Sequence, residues 1–291
     1  MQDFGISAAL VTPFHESGAP DLASLAVHAE AVLTGGADGI TLFGTTGEGA
    51  SIGAVERLRC LDAIGDLDIA PDRIVVGLCA TSVEDLLAQA HGAADRGLPR
   101  LLVPPPFYYK GIDDTALLEW YSNVFAGLSS ETRVILYHIP QVTEVPLSLE
   151  LVRRLRDRYP SQAVAVKDSS GNWTSSRTLL GEDGLAVLIG DERHLARAAR
   201  LGCAGSISGL ANIVPRQLRQ VLDSGLEDPE LNALADAVTS VPVTPAVKVL
   251  VSETYGDPRW RRVRPPLTPT PGARIPGLLS ALSAVRGPVG R

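Results

Sequence analysis

The chain has 291 residues, of which 45% are hydrophobic, and this length fits either one α/β barrel or two ordinary domains. Its 33 acidic residues outnumber 26 basic residues and give a formal net charge of -7. That balance argues against a surface that binds nucleic acid, because such a surface needs clustered Lys and Arg to displace counterions from phosphate.

Targeting and metal-binding signals are also missing from the sequence. The N-terminal MQDFGISAALVTPF has an acidic residue where a signal peptide has basic ones, and no apolar run approaches the roughly 20 residues of a membrane span. The three cysteines are far apart and include no CxxC pair, so they indicate neither a disulfide framework nor a zinc site. We therefore expect a cytoplasmic protein with no membrane partner.

Short β-branched segments alternate with longer segments of helical periodicity, which is typical of repeated strand–helix units around a parallel sheet. The predicted strands are GISAALV (5–11), GITLF (39–43), RIVVGL (73–78), RLLVP (100–104), RVILYH (133–138), AVAVK (163–167), LAVLIG (185–190) and GSIS (205–208). The predicted helices between them cover residues 21–36, 53–67, 82–97, 113–128, 147–159, 172–181, 192–202 and 214–225.

Eight such units predict a closed (β/α)8 TIM barrel over residues 1–225 rather than an open doubly wound sheet. The missing GxGxxG after the first strand supports the barrel. Residues 226–291 contain further helical segments interrupted by the proline-rich RPPLTPTP (264–271). We interpret them as a C-terminal helical extension that packs on the barrel.

Unusual polar residues follow four of the predicted strands. The second strand leads into the loop GTTGE (44–48), the fourth into a segment with Tyr108, the fifth ends at Tyr137 and His138, and the sixth ends at Lys167. In barrels of this kind the carboxyl ends of the strands build the active site, so these residues are expected to share one mouth.

Lys167 and Tyr137 suggest a chemistry for that mouth. An inward-facing amine at the end of an apolar strand loses solvation, which favours its neutral form and lowers its pKa. A neutral amine is the nucleophile that forms a Schiff base with a carbonyl substrate, and a tyrosine one strand away can move the protons this requires. The residues alone also allow a non-catalytic interpretation, in which Lys167 extends from the strand end to solvent and Tyr137 is an ordinary aromatic residue of the core or rim.

Several motifs resemble those of the dihydrodipicolinate synthase / N-acetylneuraminate lyase family of class I aldolases. They are GTTGE (44–48), the Y-x-x-P segment at 137–140, VKDSSG (166–171), the opening AALVTPF (8–14) and the late VRPPL (263–267). The resemblance spans nearly the whole chain. It implies a (β/α)8 barrel with a C-terminal helical extension, assembled as a homo-oligomer, either a dimer or a tetramer. It also implies no metal or organic cofactor, because the iminium itself withdraws electrons.

The resemblance gives the main catalytic roles to five residues. Lys167 is expected to form the Schiff base with pyruvate or another 2-oxo acid, and Tyr137 is expected to transfer protons. Thr45 and Thr46 match the residues that hold the substrate carboxylate. Tyr108 matches a tyrosine that reaches a neighbouring subunit's site and relays protons together with the loop threonine, which we assign to Thr46.

The resemblance also implies a set of substrate contacts farther round the barrel. Ile207 matches a residue whose backbone carbonyl faces the site, and Gly190, Asp191 and Glu192 lie where the family lines the acceptor or sugar end of the pocket. Glu48 needs no catalytic role, and a carboxylate that ties down its loop near the next helix start is the expected function.

Some positions depart from the family pattern. Dihydrodipicolinate synthases have an arginine where this chain has Val142, and an apolar side chain cannot form an ion pair with the carboxylate of an aldehyde acceptor. Thr45 and Gly209 stand where neuraminate lyases have serines, which disfavours that activity. His138 replaces a common asparagine, and the sequence does not show what this changes.

These residues predict a lyase that forms a Lys167 Schiff base with a 2-oxo-3-deoxy acid and cleaves it to pyruvate and an aldehyde, or runs the reverse addition. A keto-deoxy sugar acid dehydratase using the same Schiff base is the main alternative. Dihydrodipicolinate synthase, a non-catalytic sensor of 2-oxo acids and a phosphate-binding barrel at GSISG (205–209) are weaker ones. The aldehyde stays unidentified; Gln141, Val142, Asp191 and Glu192 are expected to select it.

Overall fold

The computed structural model describes residues 4–287 and contains eight parallel strands that close into a barrel in chain order. The strands are β1 (Gly5–Ala9), β2 (Gly39–Leu42), β3 (Ile74–Gly77), β4 (Arg100–Val103), β5 (Arg133–His138), β6 (Ala163–Asp168), β7 (Ala186–Ile189) and β8 (Gly205–Ser208). The predicted fold is confirmed, and every predicted strand is present with ends that differ by at most two residues.

Helices surround the barrel and follow the predicted segments closely. They are α1 (Leu22–Thr34), α2 (Ala54–Gly65), α3 (Val83–Ala94), α4 (Asp114–Ala126), α5 (Pro140–Thr143), α6 (Leu149–Arg158), α7 (Trp173–Leu180), α8 (Leu195–Ala199), α9 (Pro215–Ser224), α10 (Pro229–Thr239), α11 (Val243–Tyr255) and α12 (Ile275–Arg286). Side-chain caps fix several starts: Asp21, Asp113 and Ser148 each accept a hydrogen bond from a backbone amide in the first turn. The short α5 was not predicted, because four residues are too few for a periodic pattern.

Alternation along the strands separates two apolar layers. In β5, Ile135 and Tyr137 belong to the cluster inside the barrel, whereas Val134 and Leu136 belong to the larger cluster between barrel and helices. The register pairs Tyr137 with Lys167 across β5 and β6. Because side chains alternate with a period of two, this register directs both residues toward the barrel axis.

The last three helices pack together, with α12 against α10 and α11. Helix α11 is buried from Thr244 to Ser252, far more than one face of a surface helix. The Thr244 hydroxyl of this helix donates to the carbonyl oxygen of Thr45 at 3.1 Å, which places α11 at the mouth of the barrel. The division at residue 225 stays a prediction. Within residues 4–287, no helix is both long and apolar enough to cross a membrane.

The seam between β1 and β8 gives a test of barrel closure. Gly205 has a φ of +146°, and a Cβ there would overlap the backbone carbonyl oxygen of Gly5. We expect Gly205→Ala to lower the free energy of unfolding by about 3 kcal/mol or more, because steric crowding adds to backbone strain. Denaturant unfolding measures this change.

Gly202→Ala is the matched control, because this glycine has a φ of +79° and open space around its Cβ position. It tests backbone strain alone and is expected to cost only about 1 kcal/mol. Equal losses in the two variants would contradict the steric account of the seam.

Candidate active site

A cavity of about 560 Å³ opens at the carboxyl ends of the strands. The predicted site residues that line it are Thr45, Thr46, Tyr137, Val142, Lys167, Gly190, Asp191, Glu192 and Ile207. The fold therefore gathers in one place side chains that are scattered over more than 160 residues of sequence. Tyr108 is the predicted site residue that does not line this cavity.

Lys167 and Tyr137 face each other inside the cavity. The Lys167 Nζ atom lies 4.3 Å from the centre of the Tyr137 ring, and each residue is 5% exposed. Among residues 4–287, no carboxylate oxygen lies within 4 Å of this amine. The amine is thus buried against an aromatic face and is not held in an ion pair, which leaves it open to a substrate.

The loop after β2 forms the next part of the cavity. The Thr45 hydroxyl lies 3.2 Å from the Tyr137 hydroxyl. The proton-relay role that the resemblance gives to Thr46 stays a prediction. In the described part of the chain, the amides of Thr45 and Thr46 donate to no protein acceptor. Two adjacent free N–H groups form a concave site for an anion such as a carboxylate.

This loop is tightly constrained at both ends. Phe43 and Glu48 have left-handed backbone conformations, with a φ of 56° at each residue. The Thr12 hydroxyl donates to the carbonyl oxygen of Gly47 at 2.8 Å, and the Glu48 amide donates to that of Thr45 at 3.1 Å. The free amides therefore belong to a fixed turn.

Asp191, at the far end of the cavity, is already paired. It accepts hydrogen bonds from Arg193 Nε at 2.9 Å and Nη2 at 2.7 Å, and Arg193 also pairs with Asp236 at 2.9 Å. Burial opposes ionisation of Asp191, but the hydrogen bonds and charge of Arg193 outweigh it and lower the pKa of this carboxyl group. The negative charge of Asp191 is therefore largely compensated by Arg193.

Glu192 is in a different environment although it is the next residue. Its carboxylate accepts from the Ser208 hydroxyl at 2.5 Å and from the Leu210 amide at 3.3 Å, and within residues 4–287 no cation lies within 4 Å of it. Burial raises the pKa of this carboxyl group. Glu192 thus lines the cavity as a group that holds its proton more strongly than an exposed glutamate does.

Three further predicted positions lie at or beyond the rim. Tyr108 is 74% exposed and stacks edge to face on Tyr109, so within one chain it does not reach Lys167; its role at a second copy's site stays a prediction. Val142 lies on α5, is 57% exposed, and lines the cavity mouth. His138 Nδ1 accepts from the Leu147 amide at 3.0 Å, outside the cavity lining, so it supports the fold around β5.

The C-terminal extension contributes lining residues that the sequence did not single out. Thr244 and Val247 of α11 line the cavity, together with Leu267 from the VRPPL segment. The VRPPL motif, which resembles a motif of the family, had pointed to the segment that contains Leu267. No periodicity or spacing pointed to the first two, because their role depends on how α11 docks on the barrel.

Sequence comparison identifies the family of the chain. The Dihydrodipicolinate synthetase family matches residues 3–284 of the chain. The chain belongs to this family. Members share the lyase class, and the family match covers both the barrel and its C-terminal helices.

Individual relatives cover nearly the whole chain. A DapA-like lyase from Chloroflexus aurantiacus is 32% identical over 97% of this chain and 96% of its own length. The crystal structure of dihydrodipicolinate synthase from Agrobacterium tumefaciens str. C58 is 44% identical, covers 96% of this chain and 98% of its own, and has a TM-score of 0.93. A Sulfolobus solfataricus 2-keto-3-deoxygluconate aldolase variant, 20% identical, covers 97% and 96% with a TM-score of 0.81 and shows the shared fold.

The environment of Glu192 predicts a pH-dependent stability. Burial raises its folded-state pKa above the ordinary 4.5, so the folded protein keeps a proton that the unfolded chain loses. The resulting stabilisation is full below pH 4.5 and is lost as the pH rises through the folded-state pKa. We therefore expect Glu192→Gln, which is neutral at every pH, to gain stability relative to wild type as the pH rises from 4.5 toward neutrality.

Denaturant unfolding of both proteins across this range measures the difference. Glu182→Gln is a control of opposite sign, because hydrogen bonds from Arg153 lower the pKa of Glu182. That variant should lose stability relative to wild type as the pH rises to 4.5, the ordinary pKa of a glutamate, and should show little further change above it. Parallel curves for Glu192→Gln and wild type would show that Glu192 is ionised in the folded protein as readily as in the unfolded one.

Proposed function

We propose that this family member is a class I lyase in which Lys167 forms a Schiff base with pyruvate or a 2-oxo-3-deoxy acid. One observation carries the proposal: an unpaired, buried Lys167 amine lies against Tyr137 in the cavity that also holds the free Thr45 and Thr46 amides. An anion site beside an amine nucleophile matches the carboxylate and the adjacent carbonyl of a 2-oxo acid.

Schiff-base formation follows from this arrangement. The Thr45 and Thr46 amides hold the C1 carboxylate, so that the C2 carbonyl faces Lys167. The Lys167 amine adds to C2, and the carbonyl oxygen takes up a proton from the Tyr137 hydroxyl, which lies 3.2 Å from the Thr45 hydroxyl. Loss of water from the carbinolamine gives the iminium.

Carbon–carbon cleavage then uses the iminium as the electron sink. Tyr137, now deprotonated, takes the proton of the C4 hydroxyl, the C3–C4 bond breaks, and its electron pair moves into the C2–nitrogen system to give an enamine. The aldehyde leaves, and Tyr137 passes its proton to C3 of the enamine. Hydrolysis of the resulting iminium releases pyruvate and the Lys167 amine and returns a proton to Tyr137. The proposal requires no metal or organic cofactor, because the iminium supplies the electron withdrawal.

A dehydratase acting on a keto-deoxy sugar acid is the second candidate, and Glu192 is the observation that favours it. Dehydration removes a proton from C3 and expels the C4 hydroxyl as water, so it needs an acid where cleavage needs a base. Glu192 lines the cavity and burial raises its pKa, which suits a proton donor. The products separate the two reactions: pyruvate and an aldehyde, or a 2-oxo acid with its carbon chain intact.

A dihydrodipicolinate synthase activity is less well supported. Val142 offers an apolar surface at the cavity mouth, and the only cation among the lining residues beside Lys167, Arg193, is bound to Asp191 and Asp236 within the described chain. An acceptor carboxylate would lack a free cationic partner at this end. We therefore expect an aldehyde or sugar-acid tail without a second carboxylate.

Assembly of two or more copies is part of the proposal. Tyr108 and Tyr109 are 74% and 73% exposed, and large aromatic side chains at this level of exposure are typical of surfaces that become buried on association. A homodimer or homotetramer, as the family resemblance implies, would cover them.

Borohydride reduction in the presence of pyruvate tests the Schiff base directly. We expect the intact mass of the wild-type protein to increase by one reduced pyruvate per chain, and we expect Lys167→Ala to show no such increase. Lys110→Ala is the control, because this lysine lies outside the cavity lining and should leave the adduct unchanged. An adduct that persists in Lys167→Ala, or no adduct with any 2-oxo acid, would exclude the proposed chemistry.

Removal of the Tyr137 hydroxyl tests the proton transfer. Tyr137→Phe keeps the ring that contacts Lys167 but loses the acid–base group, so kcat should fall by about 10²-fold or more. Turnover of a panel of 2-oxo-3-deoxy acids, scored for pyruvate release and for dehydration, measures it. Tyr121→Phe is a matched control in α4, where the hydroxyl contacts only the Val103 carbonyl oxygen. Equal effects of the two substitutions would argue against a catalytic hydroxyl.

A further inference from the structure

We propose that Lys248 of α11 is a positioning residue of the active site, because its buried ion pair with Glu48 fixes the loop that carries the Thr45 and Thr46 amides. The inference rests on the proposed function, in which this loop receives the carboxylate of the 2-oxo acid. It goes beyond that function by making a helix of the C-terminal extension responsible for the shape of the carboxylate site.

Lys248 is fully buried and its contacts are all within the protein. It is 0% exposed, and its ammonium group donates to Glu48 Oε1 and to the Arg262 carbonyl oxygen, the latter at 2.6 Å. The ammonium also lies 4.3 Å from the centre of the Phe14 ring. The second carboxylate oxygen of Glu48 accepts from the Arg264 amide at 2.8 Å. Each oxygen of this buried carboxylate is therefore occupied.

Three separate motifs meet around this ion pair. Phe14 ends the AALVTPF segment, Glu48 ends the GTTGE loop, and Arg264 belongs to the VRPPL segment. Arg264 strengthens the junction, since its guanidinium group pairs with Glu56 and stacks 4.7 Å from the Phe14 ring centre. Three of the five motifs that carry the family resemblance thus surround a lysine that none of them contains.

Helix α11 holds the loop at two points. Thr244 and Lys248 are four residues apart and so lie on one face of the helix. Thr244 donates to the Thr45 carbonyl oxygen at 3.1 Å, and Lys248 binds the Glu48 side chain. The segment between these anchors contains the Thr46 amide, and the first anchor is Thr45 itself.

The backbone of the loop needs such anchors. Glu48 has a φ of 56°, a conformation that a residue with a side chain rarely adopts and that the surrounding structure must impose. Its side chain is locked by contacts with α11 and with the Arg264 amide, so the turn that exposes the Thr45 and Thr46 amides is set largely by the C-terminal extension.

Because Lys248 and Glu48 carry opposite charges in a buried site, removing one of them differs from removing both. Burial lowers the pKa of Lys248 to about 8 even though Glu48 acts in the opposite direction, and the two oppositely charged groups form an ion pair with both side chains fully buried. Removing one partner would leave the other charge buried alone, whereas removing both would leave neither. This difference allows a structural role to be separated from a positioning role.

The test compares Glu48→Gln, Lys248→Met and the double variant Glu48→Gln/Lys248→Met. For each protein, the melting temperature is measured, and borohydride trapping is followed as a function of pyruvate concentration. We expect both single variants to melt below wild type and the double variant to regain most of the loss, since no unpaired charge remains.

Trapping should behave differently from melting. In the double variant the loop is no longer anchored to α11, so we expect the half-saturating pyruvate concentration to stay raised by about tenfold or more, the effect of losing one charged hydrogen bond. The limiting trapping rate should change less, because Lys167 and Tyr137 are untouched. Thr244→Val, which removes the second anchor, should raise the same concentration by a smaller factor.

Leu86→Ala is the stability control. Leu86 is fully buried in α3 and lines none of the cavity, so this variant should melt early but keep the wild-type half-saturating concentration. If a single variant does not fold, the double variant and Thr244→Val carry the test.

Two outcomes would overturn this inference while leaving the proposed function intact. In the first, the double variant regains both the melting temperature and the half-saturating pyruvate concentration of wild type. In the second, Thr244→Val and the double variant both have the half-saturating pyruvate concentration of wild type. If the wild-type protein forms no adduct with any 2-oxo acid, the proposed function fails, and this inference fails with it. Wild-type trapping therefore distinguishes the two failures.

Discussion

The pairing of Tyr137 with Lys167 across β5 and β6 is the constraint on which the rest of the site depends. Side chains alternate between the two faces of a strand, so a slip of one residue would turn one of the two outward. The neighbouring pairs in this register, Ile135 with Ala165 and Leu136 with Val166, place small and branched residues where the barrel interior and the helical layer need them. Core packing therefore holds the two reactive side chains in contact.

Much of the fold could be predicted because its signals are local. Each strand is a short β-branched run, each surrounding helix has its own periodicity and cap, and the barrel rule then brings Lys167, Tyr137 and the GTTGE loop to one mouth. What could not be predicted depends on distant docking. The partner of Glu48 lies 200 residues away in an apolar helix, and Thr244 becomes a site residue only through the way that helix packs. The contact that the resemblance implies between Tyr108 and a second copy stays a prediction, because the structure of one chain does not test it.

The two ends of the cavity differ in how their charges are used. At the carboxylate end, backbone amides stay free while the nearby Glu48 charge is neutralised by Lys248. At the far end, Asp191 and Arg193 neutralise each other, and Glu192 is buried without a cation in the described chain. A substrate thus meets an anion site beside Lys167 and a nearly neutral surface beyond it. Under the proposed function, this difference would orient a 2-oxo acid with its carboxylate toward the β2 loop.

The C-terminal extension is separate from the barrel in sequence but not in function. Helix α11 supplies Thr244 and Val247 to the cavity, and Lys248 to the underside of the carboxylate loop. Without this helix, the buried Glu48 carboxylate would lose its ion pair with Lys248 and would keep the hydrogen bond from the Arg264 amide. The turn with left-handed backbone at Glu48 would also lose both of its contacts with α11. A barrel of residues 1–225 could retain every residue that resembles a catalytic motif after the strands and still lack a fixed carboxylate site. The cavity is therefore built by the barrel together with α11.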